Sequence, residues 1–377
     1  MLTLELRSSR RRRSGMKLTE FALLLSGLVT LLGACSDDGD KPNPDTMAPD
    51  GAVADVPTQD GVTPPDGVVT EGAVPDVTPT PDQMLIPSDW TEVLGSTAGK
   101  IHDVFGLGPK QVYVVGAGGL IMTYDGTTWN TMNNPETSDL HGLWGNASKL
   151  FAVGNSIDLV YDGSSWSTGT STTSYSFRDV WGGTASVFAV GEMGGYIRYR
   201  SFTSTYWSSV YTYSITTDAM YGVQAFSDSE VYVVGDNGLI LVCKASCNSS
   251  SASNWTQMTS NTTSNLRAIW GPSGSDLFAV GFDGTILRYN GTSWSKMSTG
   301  GTSTYFQGVW GSGPSDVWAV GHPIFKNDES IYHFDGTSWT KTPPPRTSFL
   351  NAVWGSGPSD VWAVGNYNVL HYTGPKP

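Results

Sequence analysis

Histidine and cysteine are scarce in this chain, with five His and three Cys among 377 residues. His102, His141, His322, His333 and His371 show no His-x-x-x-His or Glu-His spacing, which argues against a transition-metal site. No Gly-x-Ser-x-Gly, phosphate loop or dinucleotide fingerprint occurs, so no cofactor is expected. Glutamate is sparse too: beyond residue 87 only Glu92, Glu136, Glu192, Glu230 and Glu329 appear. Helical periodicity is missing from the same region, and no apolar run approaches the roughly 20 residues that cross a bilayer.

The one dense run of basic charge is at the N-terminus. Arg10, Arg11, Arg12, Arg13 and Lys17 precede an apolar run from Phe21 to Leu32, the layout of a secretion signal. Leu32-Gly33-Ala34-Cys35 follows and resembles the bacterial lipobox. The resemblance implies cleavage before Cys35, diacylation of its thiol and acylation of the new amino group. Several acyl chains, at about 0.8 kcal/mol per buried methylene, anchor a protein stably where one binds only reversibly. An ordinary cleaved signal with an incidental cysteine is the alternative. Met16 would itself open a compact signal, leaving residues 1–15 as a misassigned start.

Without residues 1–34, the 21 Lys+Arg and 34 Asp+Glu become 15 and 32, a formal charge of −17. Such a surface repels phosphate backbones and lacks a basic stripe, so no nucleic-acid partner is expected. Residues 35–86 are rich in Pro, Asp, Thr and Val, with small repeats such as Pro49-Asp50-Gly51 and Pro65-Asp66-Gly67. Eleven acidic residues there face only Lys41, a composition that reads as an extended tether between membrane and domain. A calcium-binding segment would need a fixed oxygen spacing that this stretch lacks.

Residues 87–377 are repetitive. The cleanest copies are Phe306-Gln-Gly-Val-Trp-Gly-Ser-Gly-Pro-Ser-Asp-Val-Trp-Ala-Val-Gly321 and its counterpart from Leu350 to Gly365, with weaker ones ending at Gly116, Gly154, Gly191, Gly235 and Gly281. Each unit reads as four short strands punctuated by Gly, Pro, Ser, Asp and Asn. Seven four-stranded antiparallel units of about 40 residues predict an all-β, seven-bladed β-propeller. Trp129, Trp166, Trp207, Trp255, Trp294 and Trp339 close the fourth strands of six units, and the seventh ends before reaching one. Trp90, in Ser88-Asp89-Trp90-Thr-Glu-Val-Leu94, has that pattern, so this N-terminal strand is expected to complete the last blade and close the ring. First-strand aromatics are expected at Trp144, Trp181, Trp270, Trp310 and Trp354, with Phe105 and Phe226 in the two vacant places. These rings are read as packing between blades.

The turns at Tyr124-Asp-Gly-Thr-Thr-Trp129, Tyr161-Asp-Gly-Ser-Ser-Trp166, Tyr289-Asn-Gly-Thr-Ser-Trp294 and Phe334-Asp-Gly-Thr-Ser-Trp339 resemble the Asp-box (BNR-like) repeats of sialidase-like propellers, in a version one residue shorter. The units also resemble propellers of the photosystem-assembly-factor type and the Trp-Gly/Ala-Val-Gly repeats of bacterial surface lipoproteins. In those families the turn is structural, so the resemblance implies fold and not activity.

No catalytic residues are assigned. A sialidase would need three convergent arginines, a tyrosine with a glutamate partner and an acid, and no motif gathers them. His333 and His371 share a third-strand place with Arg198 and Arg288 and read as solvated strand residues. Cys243 and Cys247 are expected to form a short disulfide after export. The candidate binding site is the second residue of each first strand: His102, His141, Arg178, Tyr221, Arg267, Gln307 and Asn351. Propellers place that strand innermost, so these side chains should ring the channel and, with Trp318, Trp362 and His322, hold an anionic or glycan group. A merely solvated strand position is the plainer reading.

The expectation is therefore a lipid-anchored, monomeric envelope protein. Ser36 after Cys35 fits the outer membrane, in its periplasmic or surface-exposed leaflet. Its propeller binds an envelope protein or surface polysaccharide. The alternatives are a glycan hydrolase or lyase and an assembly factor for an envelope complex.

Overall fold

The computed structural model describes residues 89–95, 99–169, 175–325, 328–346 and 348–374; the signal region, Cys35 and the 35–86 tether lie outside the described residues. The described strands form seven antiparallel sheets of four. Their first strands are Ile101–Gly108, Leu140–Asn146, Phe177–Gly182, Met220–Ser227, Leu266–Ser273, Tyr305–Gly313 and Leu350–Gly357, which define blades 1 to 7. These strands pack side by side in a closed circle, the seventh against the first. Closure comes from Trp90–Leu94, which pairs antiparallel with Asn368–Tyr372 as the fourth strand of blade 7. The fold is the seven-bladed propeller that the repeats predict.

The core lies between blades, and it explains the Trp-Gly dipeptide. The Trp144 indole of blade 2 reaches over Gly182 of blade 3, where a Cβ would stand 2.1 Å from the ring. Trp270, Trp310 and Trp354 likewise lie against Gly311, Gly355 and Gly106 of the blades that follow. Each glycine thus makes room for its neighbour's tryptophan. Fourth-strand tryptophans seal the same seams further out: Trp90 packs edge-on to Trp318 of blade 6, and Trp129 to Trp362 of blade 7.

Blade 4 departs from the expected pattern. Gln224, paired with Tyr232, occupies the first-strand aromatic place, and Phe226 lies two residues beyond it. Gln224 is buried. Blade 3 shows a second slip. Arg198 pairs with Ala189 and is buried, so Tyr199 is the counterpart of Arg288, His333 and His371. Those three are not simply solvated. Arg288 holds Asp276 through two nitrogens at 2.9 and 3.0 Å, while His333 and His371 each meet an Asp oxygen at 2.6 Å, on Asp316 and Asp360. Both imidazoles also stack on the second-strand tryptophan beside them.

Candidate functional site

In every blade the first-to-second-strand ladder skips a residue near the start of the first strand, the second residue in six blades and the third, Gln307, in blade 6. Such a β-bulge leaves its extra residue unpaired and re-aims its side chain. All seven skipped residues, His102, His141, Arg178, Tyr221, Arg267, Gln307 and Asn351, line one central cavity of about 460 Å³. Apolar residues including Val104, Leu143, Val223 and Ile269 line it deeper down, and Trp181, Trp270, Trp310 and Trp354 form its floor. The site is thus a polar ring above an apolar well.

The ring is cross-linked around much of its circumference. Asn351 donates to the Ile101 carbonyl at 2.7 Å and accepts contact from His322 at 3.0 Å. His102 Nδ1 lies 2.8 Å from the Leu140 carbonyl, and its ring stacks on His141 at 4.7 Å. His141 Nε2 is 2.9 Å from Arg178 Nη1 and 3.0 Å from Asn155 Oδ1. One nitrogen cannot accept from the first and donate to the second. Burial, reinforced by the Arg178 charge, pushes the His141 pKa down to about 4, which favours the neutral ring with the Nε2 lone pair turned to Arg178. Arg178 also forms an ion pair with Glu192.

Two further carboxylates in this cavity carried no signal in the repeat. Asp103 accepts from the Val104 amide at 2.8 Å and from Leu143 of the next blade at 2.7 Å. Asp179 repeats this with Val180 and with Val223 of blade 4, at 2.7 and 2.8 Å. Each ties its blade to the following one. Burial raises both pKa values, Asp179 to about 7, with Asp103 pushed further by the nearby Asp179 charge. Both oxygens of each group are engaged by backbone amides, which is a structural use of a carboxylate.

Trp318 and Trp362 do not join this site. They are 2% and 0% exposed, packed between blades beneath His333 and His371, so no ligand reaches them. His322 contributes only through Asn351. Cys243 and Cys247 are joined as a disulfide with Cα atoms 5.7 Å apart. Cys243 ends a third strand and Cys247 follows it, so the bridge lies on the rim away from the cavity mouth.

The mouth has an apolar border. Antiparallel order places the second-to-third-strand turns and the links between blades on this rim. Of ten exposed large hydrophobics among the described residues, seven fall there: Met193, Tyr211, Tyr213, Ile324, Phe325, Phe349 and Tyr367. Tyr211 and Tyr213 belong to a cluster with Tyr196, whose ring lies tilted 4.7 Å from that of Tyr175. Tyr367 sits at φ +69°, a left-handed conformation that bulky residues rarely adopt. Ser156 holds the equivalent turn of blade 2.

YCF48 bound to D1 peptide is similar to this chain, with a TM-score of 0.60 and 17% identity over 76% of this chain and 97% of that one. YCF48 from Cyanidioschyzon merolae gives 0.58 and 17% over 75% and 98%, and the RRP9 WD40 repeats give 0.61 and 11% over 76% and 97%. The likeness is one of fold. No protein-family model matches the chain, and no curated protein does.

Proposed function

We propose that the propeller is a binding module that engages a protein of the cell envelope at the mouth of its central cavity. The observation that carries this reading is the coincidence of two features on one rim: a hydrogen-bonding ring with two arginines, and most of the exposed apolar side chains. Protein interfaces have this composition, with aromatic, Met and Arg side chains enriched at their centres. A propeller of the same fold, YCF48, is known bound to a peptide, which makes an assembly role for this chain a natural form of the same proposal. Against a glycan hydrolase or lyase stands the engagement of Asp103 and Asp179 by backbone amides, which leaves neither oriented as an acid or nucleophile. The resemblance of Leu32-Gly33-Ala34-Cys35 to a lipobox supports a membrane anchor for the module, and Ser36 after Cys35 supports the outer membrane.

Two measurements test this. Full-length protein purified with its partners from membranes, alongside a Phe349→Ser/Tyr367→Ser variant, should yield a partner that the variant loses; equal recovery by both would refute the mouth as the binding face. Metabolic labelling with an alkyne fatty acid should mark the wild type and not Cys35→Ser, and an unlabelled wild type would remove the anchor.

A further inference from the structure

The two arginines of the ring are not equivalent. Arg178 is neutralised by Glu192 and bonded to His141. Arg267 has no carboxylate partner among the described residues. Its guanidinium carbon lies 3.7 Å from the centre of the Tyr221 ring and 4.5 Å from that of Phe282, and Phe282 stacks in turn on Tyr305 at 4.3 Å. Three blades therefore contribute to one stack that holds this guanidinium in place. Its Nε is buried with no hydrogen-bond partner. Beside it on blade 6, the Gln307 side chain lines the same cavity and makes no hydrogen bond among the described residues. A positive charge fixed by aromatic faces, without an ion pair of its own among the described residues and linked to Asp236 only through the Tyr221 hydroxyl 3.2 Å from it, is prepared at this cavity mouth for an anion.

Resting on the binding role above, we propose that Arg267 and Gln307 read a carboxylate on an extended peptide, either its C-terminus or an Asp or Glu side chain, while the apolar rim takes flanking side chains. One uncompensated guanidinium matches a single negative charge. A phosphate dianion or a polyanionic chain would leave excess negative charge against a surface that is already strongly acidic. Met193, Phe325, Phe349 and Tyr367 suit apolar side chains, which favours a peptide over a sugar acid.

The test uses the full-length protein in detergent and an immobilised library of random dodecapeptides, each made as free acid and as C-terminal amide, with Asp/Glu and Asn/Gln versions. Bound peptides should lose at least tenfold in affinity when the critical carboxylate becomes an amide. The acid arm and the side-chain arm then show which source is read. Arg267→Gln should bind both forms equally weakly, and Arg267→Lys should recover only part of the preference, because a point charge lacks the planar fork. Tyr206→Ser, on the far rim, should keep the full preference. Unchanged melting temperatures show that the Arg267 variants fold. Peptides that bind at the mouth with equal affinity as acid and amide would overturn the carboxylate reading alone. A preference that survives Arg267→Gln would do the same. A library in which Phe349→Ser/Tyr367→Ser costs no peptide its affinity would overturn the mouth as a binding face as well.

Discussion

The two rims of this propeller follow different rules. On the far rim, blades 1, 2, 5 and 6 repeat one turn, in which the side-chain oxygen of Asp125, Asp162, Asn290 or Asp335 accepts the backbone amides two and three residues on. Those bonds hold the Asp162 carboxyl down at about 2 and Asp335 below the usual range, and at Asp125 the Thr127 hydroxyl, ahead of the amides, does the same. On the mouth rim the same seven units present His, His, Arg, Tyr, Arg, Gln and Asn at one bulged position. Seven copies of a unit in one chain form an internal control. Residues that the blade requires recur, such as the glycines against Trp144, Trp270, Trp310 and Trp354. A bulged residue pairs with no neighbouring backbone, so its identity is released for other use.

The sharpest way to break this contrast is to exchange the two kinds of position. Trp362→Ala, in a seam between blades, should cost about 3–5 kcal/mol in denaturant unfolding, since a buried indole leaves a large cavity. Arg267→Gln should cost under about 1 kcal/mol in the same assay, as surface-lining substitutions usually do. Equal losses would erase the distinction.

Tyr367→Gly sharpens it. Glycine relieves the left-handed strain, so stability should stay level or rise by about 0.5–1 kcal/mol while partner binding falls. A loss of stability would mean that Tyr367 serves the fold.

The smallest effect is in pH. Asp179 has its folded pKa raised to about 7, above the ~3.9 of an unfolded Asp, so it binds its proton more tightly in the folded state. Its contribution is full below the unfolded value and is lost as pH rises through about 7. Allowing for water in the cavity, stability should fall by about 1 kcal/mol between pH 5 and 8, and less in Asp179→Asn. His141, lowered to about 4, acts oppositely, but only below about pH 6.5. Denaturant midpoints across this range measure the sum.

Much of this organisation was legible from the sequence, because recurrence carries it. The blades, the closing strand at Trp90 and the seven ring positions all follow from aligning repeats. The errors fall where a single copy deviates. In blade 4 a polar residue, Gln224, takes an aromatic place, and the nearby Phe226 drew the alignment two residues along. In blade 3 the third strand, Tyr196–Ser201, lacks clean alternation, and Arg198 slipped by one. Asp103 and Asp179 occur in only two of seven units, where the others have Gly or Ala, so a search for what recurs passes over them. The histidines stacked over Trp318 and Trp362 cover them through cross-strand pairing, which residue type alone does not show. The bulge that aims the ring is likewise a matter of register, invisible to residue type.

Site-specific photocrosslinking can decide whether the mouth rim is the binding face. A photoreactive amino acid placed at Phe349 or Tyr367 in the full-length protein should trap one discrete partner in cells, while the same group at Leu107 or Tyr206 on the far rim should trap none. Trapping of that partner from the far rim, with nothing captured at Phe349 or Tyr367, would contradict the account.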